Sequence, residues 1–593
     1  MKLDTKSLIA GILVSLLAAA CSSESGDEGK NGKKQQATSD ITFYFGARVI
    51  PGDGSPVIED ATFIVSNAKF TAVGKKGEVT PPKGSGRIDL TGRTLTPVFF
   101  NLQAQPGLSN GPSYGPKNYG RESVIADLDR YAYYGIMGVL TGGTDDGDLA
   151  MQIRDEQRQG KVNGARLYTA GRGIVARGGG PAGLGNIPIS VATAGDARKA
   201  VSELAEKKVD AIKLWIDDDN GKGAKLKSDV YGAAIDEAHK RNLKIVAEVF
   251  ELADAKDLVK AGIDGFVSSI RDRDVDDQLV SAMKEKNVFL APALTTAEAK
   301  FEYADKPSWL GEQTMREVYP AQLSAYLADP VTMNKFKRNP ELGALRQQYA
   351  TAMKNLKKMA DGGVRIVLGT NSGSPDTYPG YFELREMISM VEAGMQPMDV
   401  IKAATSVPAA FLGDNDHGVI AVGKVADFLA MPNSPLDKMT NIKDVGSLYL
   451  KGAEVERSSM IQILGTINVP KITERDRDAD AKAEIEAERL RQEAKLPHYG
   501  KFVLGPAATV RSMAVPTPKG SKADIKPGPP DRITVAMRAS AADLREFYSK
   551  ALPAYKWSAA GNCWQRQHPA SNKAETLCVE PANNSAVIQI TEK

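Results

Sequence analysis

Few side chains of this sequence belong to the types that bind transition metals or attack substrates. Its 593 residues include four histidines and three cysteines. Metal-dependent hydrolases rely on imidazole and thiolate ligands, so this scarcity argues against a conventional metal centre. Nucleophilic catalysis is also poorly supported. No Gly-x-Ser-x-Gly elbow lies on a predicted strand–turn–helix, and Ser268 has no histidine nearby in the sequence.

Two Asp-rich stretches and one Gly-rich stretch are further candidates for ligand binding. Residues 217–219 and 272–277 are rich in Asp, and carboxylate oxygens are the ligands that Ca²⁺ prefers. Helix caps and solvated loops are nevertheless the simpler interpretation of these carboxylates. Residues 171–186 offer glycine N–H groups to an anion, but they lack the Lys-Ser or Lys-Thr ending of a phosphate loop. Nucleotide binding is therefore not predicted.

The composition is that of a soluble globular protein. Apolar residues make up 42% of the chain and charged residues 25%, which excludes a disordered or polytopic membrane protein. The 76 Lys and Arg residues nearly balance the 73 Asp and Glu residues. Because a net charge of +3 gives no strongly basic face, nucleic acid is not an expected partner.

The first 20 residues predict a signal peptide. Lysines precede an apolar run over residues 8–20, which is shorter than the ~20 apolar residues that span a bilayer. Residues 17–21, Leu-Ala-Ala-Ala-Cys, resemble the lipobox of bacterial lipoproteins, which implies cleavage before Cys21 and its lipidation. Residues 21–40 are polar and predict a flexible tether. Ser22 stands where an inner-membrane retention signal carries Asp, so the resemblance favours the outer membrane, with the body in the periplasm or on the cell surface.

The elements that would position functional residues are two β regions around a long α/β region. Short strands with glycine turns occupy residues 41–97, and short strands return within 412–456. Between them, over 98–411, apolar runs alternate with helical patterns. The eight runs are 98–103, 135–143, 165–171, 210–216, 243–250, 265–270, 288–294 and 364–371. This order predicts an α/β protein with a (β/α)8 TIM-type barrel and a small β-sandwich built from both flanks.

The C-terminal part predicts a linker and a further small domain. Residues 457–499 include a charged helix, for which a solvated linker is favoured and a partner-binding coiled coil is the alternative. Residues 500–593 predict an α+β domain. Cys563 and Cys578 lie close together in an exported chain and have no Cys-x-x-Cys partners, so they predict a disulfide rather than zinc ligands. The aromatic residues nearby predict a small core or a docking face for an envelope protein.

Several blocks of the barrel region resemble the amidohydrolase superfamily, closest to its imidazolonepropionase-like and prolidase-like members. The resemblance covers residues 42–456 and includes IDLTGRTLTPVFFNLQAQPG, VDAIKLWID, AIDEAHKRNLKIVAEV, VLGTNSG and GVIAVGKVADFLAM. It implies metal-assisted hydrolysis, in which four histidines, an Asp and often a carbamylated Lys hold one or two divalent cations that activate water.

The positions that matter for this chemistry are altered in the sequence. Where the resemblance implies a histidine pair after the first barrel strand, the chain has Gln103 and Gln105. Glu248 and Ser268 replace the histidines of the fifth and sixth strands, and Asn371 replaces the catalytic aspartate of the eighth. A Gln amide is a weak neutral ligand that does not replace imidazole on zinc. No metal and no other cofactor is therefore expected at this set of positions.

Lys213 is the one metal-site residue that is retained at its matched position. An ion pair with Glu248 that fills the volume of the lost metal is the favoured interpretation, and a Lys213 nucleophile or Schiff base is the alternative. The histidines lie elsewhere and predict surface or structural roles; they are His239, His417, His498 and His568.

The favoured interpretation of the whole chain is a lipid-anchored pseudo-enzyme, a non-catalytic binding or scaffold component of the cell envelope. Its expected partners are the membrane, through the lipid anchor, and another envelope protein. One alternative is a divergent metal-dependent hydrolase of C–N bonds that uses Lys213, Glu248 and loop aspartates. The other is a purely structural subunit whose barrel pocket is closed by side chains. Metal content separates the hydrolase from the other two, and an open polar barrel mouth separates the binding protein from the structural subunit.

Overall fold

A computed structural model describes residues 41–181, 183–218, 223–461, 467–494, 498–510, 513–567 and 572–592. The predicted signal peptide and tether, Cys21, Asp219 and His568 lie outside these residues, as does the side chain of His498. Among the described helices, none is both long and apolar enough to cross a membrane.

Strands occupy the runs that the sequence predicts as extended. Before the barrel they are β1 (Ile41–Val49), β2 (Ile58–Ser66), β3 (Lys69–Lys75), β4 (Gly86–Asp89) and β5 (Thr94–Pro97). In the barrel region they are β6 (Phe99–Ala104), β7 (Ser109–Asn110), β8 (Ser113–Tyr114), β9 (Ile136–Thr141), β10 (Arg166–Tyr168), β11 (Ile174–Ala176), β12 (Ile189–Val191), β13 (Ala211–Trp215), β14 (Lys244–Glu248), β15 (Gly265–Phe266), β16 (Phe289–Leu290) and β17 (Arg365–Ile366). After it they are β18 (Phe428–Met431), β19 (Ser447–Leu450) and β20 (Ala453–Glu454). Each of the eight apolar runs contains one barrel strand, namely β6, β9, β10 and β13–β17.

The strands from both flanks form one eight-stranded sheet. β1 pairs antiparallel with β2 and parallel with β4 and β5, while β5 pairs antiparallel with β18. The sequence predicted a sandwich of two sheets; because β1 and β5 connect the flanks, the strands instead form a single sheet around its own core. In that core Tyr44 stacks on Phe63 and Phe428 stacks on Tyr449, with ring centroids 4.6 Å apart in each pair.

The barrel strands form a TIM-type barrel domain from two hydrogen-bonded groups. β6, β9 and β10 make one parallel sheet, and β11–β17 make the other. At one junction Leu102 donates its N–H to the carbonyl of Leu368 (2.9 Å), and at the other Asp210 donates to Thr169 (2.7 Å). Apolar side chains fill the space between the strands, among them Leu102, Leu140, Val246, Phe289 and Val367. The carboxyl ends of the parallel strands therefore meet at one end of the barrel, where sites in this architecture form.

Helices connect the barrel strands. They are α1 (Arg121–Tyr133), α2 (Leu149–Arg158), α3 (Ala194–Glu206), α4 (Ser228–Lys240), α5 (Leu252–Ala261), α6 (Asp277–Glu285), α7 (Leu294–Ala299), α8 (Gln313–Arg316), α9 (Ala321–Leu327), α10 (Pro330–Lys337), α11 (Leu342–Asp361), α12 (Tyr381–Glu392), α13 (Pro397–Ala404) and α14 (Ser406–Phe411). Local signals fix several of their ends. Asp276 caps α6 by accepting the N–H of Leu279 (3.0 Å), and Gly262 ends α5 in a left-handed conformation with φ of 96°.

The charged segment after the barrel forms two helices, α15 (Arg457–Ile461) and α16 (Glu474–Ala494). α16 contacts the segment around α10: Asp480 accepts hydrogen bonds from Asn334 on α10 (2.9 Å) and from Arg338 just after it (2.6 Å). Ile485, which would have to belong to a coiled-coil seam, is 73% exposed. Charge pairs therefore hold one side of this helix beside α10, while most of its described side chains are exposed.

The C-terminal domain is an α+β fold. Its elements are β21 (His498–Tyr499), β22 (Phe502–Val503), β23 (Ala508–Val510), β24 (Met513–Val515), β25 (Lys522–Lys526), β26 (Asp531–Ala536), α17 (Ala541–Ala554), β27 (Ser558–Ala560), β28 (Cys563–Gln567), β29 (Ala574–Ala582) and β30 (Ser585–Glu592). β25–β30 form one six-stranded sheet against which α17 packs. Tyr548 and Trp557 are fully buried between them, so these aromatic residues form the core. Cys563 and Cys578 face each other on β28 and β29 and form a disulfide.

The disulfide predicts a specific loss of stability. Replacing Cys563 with Ser should lower the free energy of unfolding of this domain by about 3 kcal/mol, because the bond closes a loop of 15 residues in the unfolded chain. Hydrogen exchange of amides in β26–β30 and α17 measures the change. Amides of the barrel strands, compared in the same sample, should keep their rates. Unchanged exchange in β29 and β30 would contradict the expectation.

Candidate functional site

The residues singled out in the sequence lie on or just after the carboxyl-terminal parts of five barrel strands. Their positions follow directly from the strand bounds: Gln103 is in β6 and Gln105 follows it, Lys213 is in β13, Glu248 ends β14, Ser268 follows β15 and Asn371 follows β17. Gln103 and Lys213 approach one another across the end of β9, since Cβ atoms at Gly142 and Gly143 would lie 3.2 Å from the Gln103 amide and 2.9 Å from Lys213 Cβ. Glycine is required at Gly143, whose φ is 81° and where a Cβ would overlap Lys213.

Three amide side chains and a phenol form one hydrogen-bonded group, the amide network. Asn371 Oδ1 accepts the Nε2 groups of both Gln103 (3.0 Å) and Gln105 (2.8 Å). Gln105 Oε1 accepts the hydroxyl of Tyr114 at 2.5 Å. Asn371 adopts φ of 58°, a left-handed conformation that Asn tolerates, and its N–H donates to the carbonyl of Gln103 (2.6 Å). The amide oxygens of Asn371 and Gln105 thus accept hydrogen bonds from neighbouring side chains.

Lys213 and Glu248 form a buried ion pair on neighbouring strands. The Lys213 side chain has no exposed surface, and its Nζ lies 3.1 Å from Glu248 Oε2. The ammonium also lies 4.6 Å from the centre of the Trp215 ring. Glu248 keeps 22% of its side chain exposed toward the barrel mouth.

The charges around this pair decide the state of Glu248. Burial opposes its ionisation, but Lys213, Arg271 and Lys300 outweigh that and hold the pKa of Glu248 below its ordinary value. Burial lowers the pKa of Lys213, and Glu248 acts against that decrease. Each charge of the pair therefore stabilises the ionised form of the other.

Ser268 does not join either group. Its hydroxyl donates to the carbonyl of Val249 (2.7 Å) and accepts the N–H of the same residue (2.8 Å). The backbone after β14 therefore uses the Ser268 hydroxyl both as donor and as acceptor.

Asp145, which the sequence did not single out, lies just after β9. Burial raises its pKa to about 7, although hydrogen bonds from the hydroxyls of Thr169 and Thr141 to its carboxylate oppose that increase.

An apolar cluster, the apolar plug, covers the strand ends on one side of the mouth. It comes from the segments after the first and third barrel strands and from the end of the fourth. Its residues are Leu108, Val175, Leu184, Ile187 and Trp215, with Tyr114 and Tyr119 against it. The Trp215 ring lies over Gly173, where a Cβ would stand 2.0 Å from the ring. The residues of this plug are far apart in the sequence, so no local sequence pattern predicts it.

A polar cavity of 260 Å³, the mouth cavity, remains open beside Glu248. It is lined by Asp217, Phe250, Arg271, Lys300, Asn339, Glu341, Leu345 and Gln348. Arg271 lies 4.8 Å from the Phe250 ring and 3.2 Å from the Asp217 carboxylate. The mouth therefore has a closed apolar half and an open half with charges of both signs.

Among the described residues, no three His, Cys, Asp or Glu side chains lie together in a group that could hold a metal ion. The Asp-rich stretches instead bind cationic side chains, as in the pairs of Asp218 with Lys225 (3.6 Å) and Asp277 with Lys358 (2.8 Å). Of the histidines, His239 binds Asp264 (3.0 Å) and His417 binds Asp414 (2.8 Å), both away from the strand ends.

Comparison with known proteins identifies the barrel. Residues 219–455 match the amidohydrolase family. A 119-residue segment is 31% identical to adenine deaminase of Lactobacillus delbrueckii subsp. bulgaricus and spans 19% of this chain and 20% of that protein. The fold is similar to a Xaa-Pro dipeptidase with bound methionine in its active site (TM-score 0.56, 19% identity, covering 70% of this chain and 100% of that one). It is similar also to molinate hydrolase (TM-score 0.56, 18% identity, covering 73% and 99%).

The ion pair predicts a characteristic pattern of stabilities. Glu248→Gln should cost about 3–5 kcal/mol of unfolding free energy, because it leaves a buried ammonium without a counter-charge. The double variant Lys213→Met/Glu248→Leu should be near neutral, because it removes both charges. Urea unfolding of the parent chain, Lys213→Met, Glu248→Leu and the double variant closes the cycle and gives the coupling energy.

Lys244→Met is the matched control for this cycle. Its partner Asp264 lies 2.9 Å away, but the lysine is 56% exposed, so the cost should stay within about 1 kcal/mol. Additive effects of the Lys213 and Glu248 substitutions would show that the two charges do not depend on each other.

Proposed function

Because the chain belongs to the amidohydrolase superfamily while its strand-end side chains pair with one another, we propose that it is a non-catalytic binding protein of the cell envelope. The observation that carries the proposal is the pairing of the strand-end side chains with one another. Asn371 accepts two amides, and Glu248 pairs with the Lys213 ammonium. Hydrolysis in this superfamily needs a cation-activated water.

The donor set does not fit a divalent cation. Amide oxygens are weak ligands for zinc, and the amide network already uses those of Asn371 and Gln105. An ammonium group 3.1 Å from Glu248 stands where a second positive charge would be repelled. No catalytic step through a metal is therefore derived for this barrel.

The mouth cavity supports a binding role over a purely structural one. A barrel kept only as a structural body has no need of an open polar mouth, yet 260 Å³ beside Glu248 remains unfilled by side chains. Charges of both signs line the cavity and would orient a polar ligand. The apolar plug closes only the other half of the mouth.

The lipobox-like sequence ending at Cys21 supports attachment of this body to a membrane, by a lipid on that cysteine. The polar tether that follows would hold the barrel away from the lipid surface. An envelope protein partner and an outer-membrane location complete the proposal.

Metal content is the first test. Protein purified without chelators or a polyhistidine tag should contain less than about a tenth of an equivalent of Zn, Mn, Fe or Ni, since the strand ends present no suitable ligands. Elemental mass spectrometry measures it before and after incubation with excess zinc and desalting. A full equivalent that disappears in Glu248→Gln but persists in the exposed-site control Asp277→Asn would overturn the proposal and indicate a divergent hydrolase.

The anchor is tested separately by labelling cells with palmitate. The parent chain should incorporate the label and sediment with membranes, and Cys21→Ser should do neither, because that thiol is the attachment atom. Cys563→Ser is the matched control and should be labelled like the parent. Equal labelling of Cys21→Ser would exclude the proposed anchor while leaving the proposal for the barrel intact.

A further inference from the structure

A second cavity, the basal cavity, lies at the end of the barrel opposite the strand-end residues. Its volume is 320 Å³, and it opens where β17 begins, between the end of α11 and one face of α13. Sites in TIM-type barrels form at the other end, so this cavity belongs to no expected active site. It shares no residue with the mouth cavity.

Apolar side chains form most of its wall. They are Ala360, Val364, Ile366, Met395, Ala403 and Val407. Four of them, Val364, Ile366, Met395 and Ala403, are between 2% and 6% exposed, so they belong to the core rather than to a wet surface. An unfilled cavity with such a wall favours a ligand that has an apolar part.

Two cationic side chains, Arg365 and Lys402, line the same cavity. Within the described part of the chain, no carboxylate oxygen lies within 4.0 Å of a side-chain nitrogen of either residue. Arg365 Nη2 donates to the carbonyl of Asn287 (2.8 Å), whereas its buried Nε meets no acceptor among the described residues. Burial lowers the pKa of Arg365, which Asp264 opposes only in part. Because a guanidinium remains charged in proteins, the positive charge of Arg365 would be stabilised by a further acceptor beyond the described residues.

The charges around the cavity suit one negative charge. Asp399 is the single carboxylate that lines it against two cations, which leaves a net charge of +1. Asp53, on a neighbouring loop outside the lining, interacts with Lys402 at longer range. In the mouth cavity, by contrast, Arg271 already binds Asp217.

We propose that the basal cavity binds a small monocarboxylate with a short apolar chain. Its carboxylate would bind the Arg365 guanidinium and Lys402 Nζ, and its apolar chain would lie against Val364, Met395 and Val407. A cavity of 320 Å³ is at the small end of ligand sites and suits about eight to ten non-hydrogen atoms. The site is independent of the function proposed for the barrel mouth.

Calorimetric titration of the full-length protein in detergent with hexanoate tests the proposal. Hexanoate should bind at least about tenfold more tightly than hexanamide, because charge-assisted hydrogen bonds are lost with the neutral amide. It should also bind more tightly than acetate, which lacks the apolar chain, and than inorganic phosphate. Equal affinity for hexanoate and hexanamide, or for hexanoate and acetate, would overturn the proposal.

Substitutions assign the site. Lys402→Gln, on an exposed helix position that leaves folding intact, should weaken hexanoate binding by about tenfold, and Arg365→Gln by at least as much. Arg365→Lys, which keeps the charge, should retain more affinity than Arg365→Gln. Lys240→Gln, an exposed lysine on α4, is the matched control and should bind like the parent. If Lys402→Gln also binds like the parent, the carboxylate lies elsewhere and the proposal is wrong.

Discussion

A buried ammonium group fixes the geometry of the barrel mouth. Lys213 has no exposed surface, and a charge at that depth is tolerated only beside an opposite charge. The parallel register of β13 and β14 places Trp215 opposite Glu248, so this carboxylate is the counter-charge within reach. The Lys213 ammonium also makes a cation–π contact with the Trp215 ring, which shields it from water. The close packing of that ring on Gly173 extends the constraint to the loops that form the apolar plug.

The same rule, that buried polar groups need partners, explains the amide network. Gln103 and Gln105 have donors directed at one oxygen, and Asn371 reaches them because its left-handed backbone turns its side chain back over β6. These residues are uncharged, so the first and eighth strands could be closed without a further counter-ion. The mouth stays open where Arg271 and Lys300 line a cavity and act on the Glu248 carboxylate.

Apolar runs were enough to predict all eight barrel strands, because the strands of a parallel sheet are buried on both faces and read as continuous apolar segments. The pairing of the flanks into a single sheet was not predictable, since it depends on β1 and β5 connecting strands more than 300 residues apart. The sequence predicted the positions of Lys213 and Glu248 at the strand ends. It did not predict Tyr114, Trp215 or the basal cavity, because their contacts join loops and helix faces with no common period.

The pairing of side chains at the strand ends has a consequence for stability. A bound metal contributes its binding free energy to folding, so a barrel that relies on one depends on metal supply. The ion pair, the amide network and the apolar plug at the strand ends of this chain consist only of its own side chains. Neither cavity takes a lining residue from the ion pair or the amide network. Cavity residues such as Arg271 and Arg365 can therefore be substituted to suit a different ligand without altering the ion pair or the amide network.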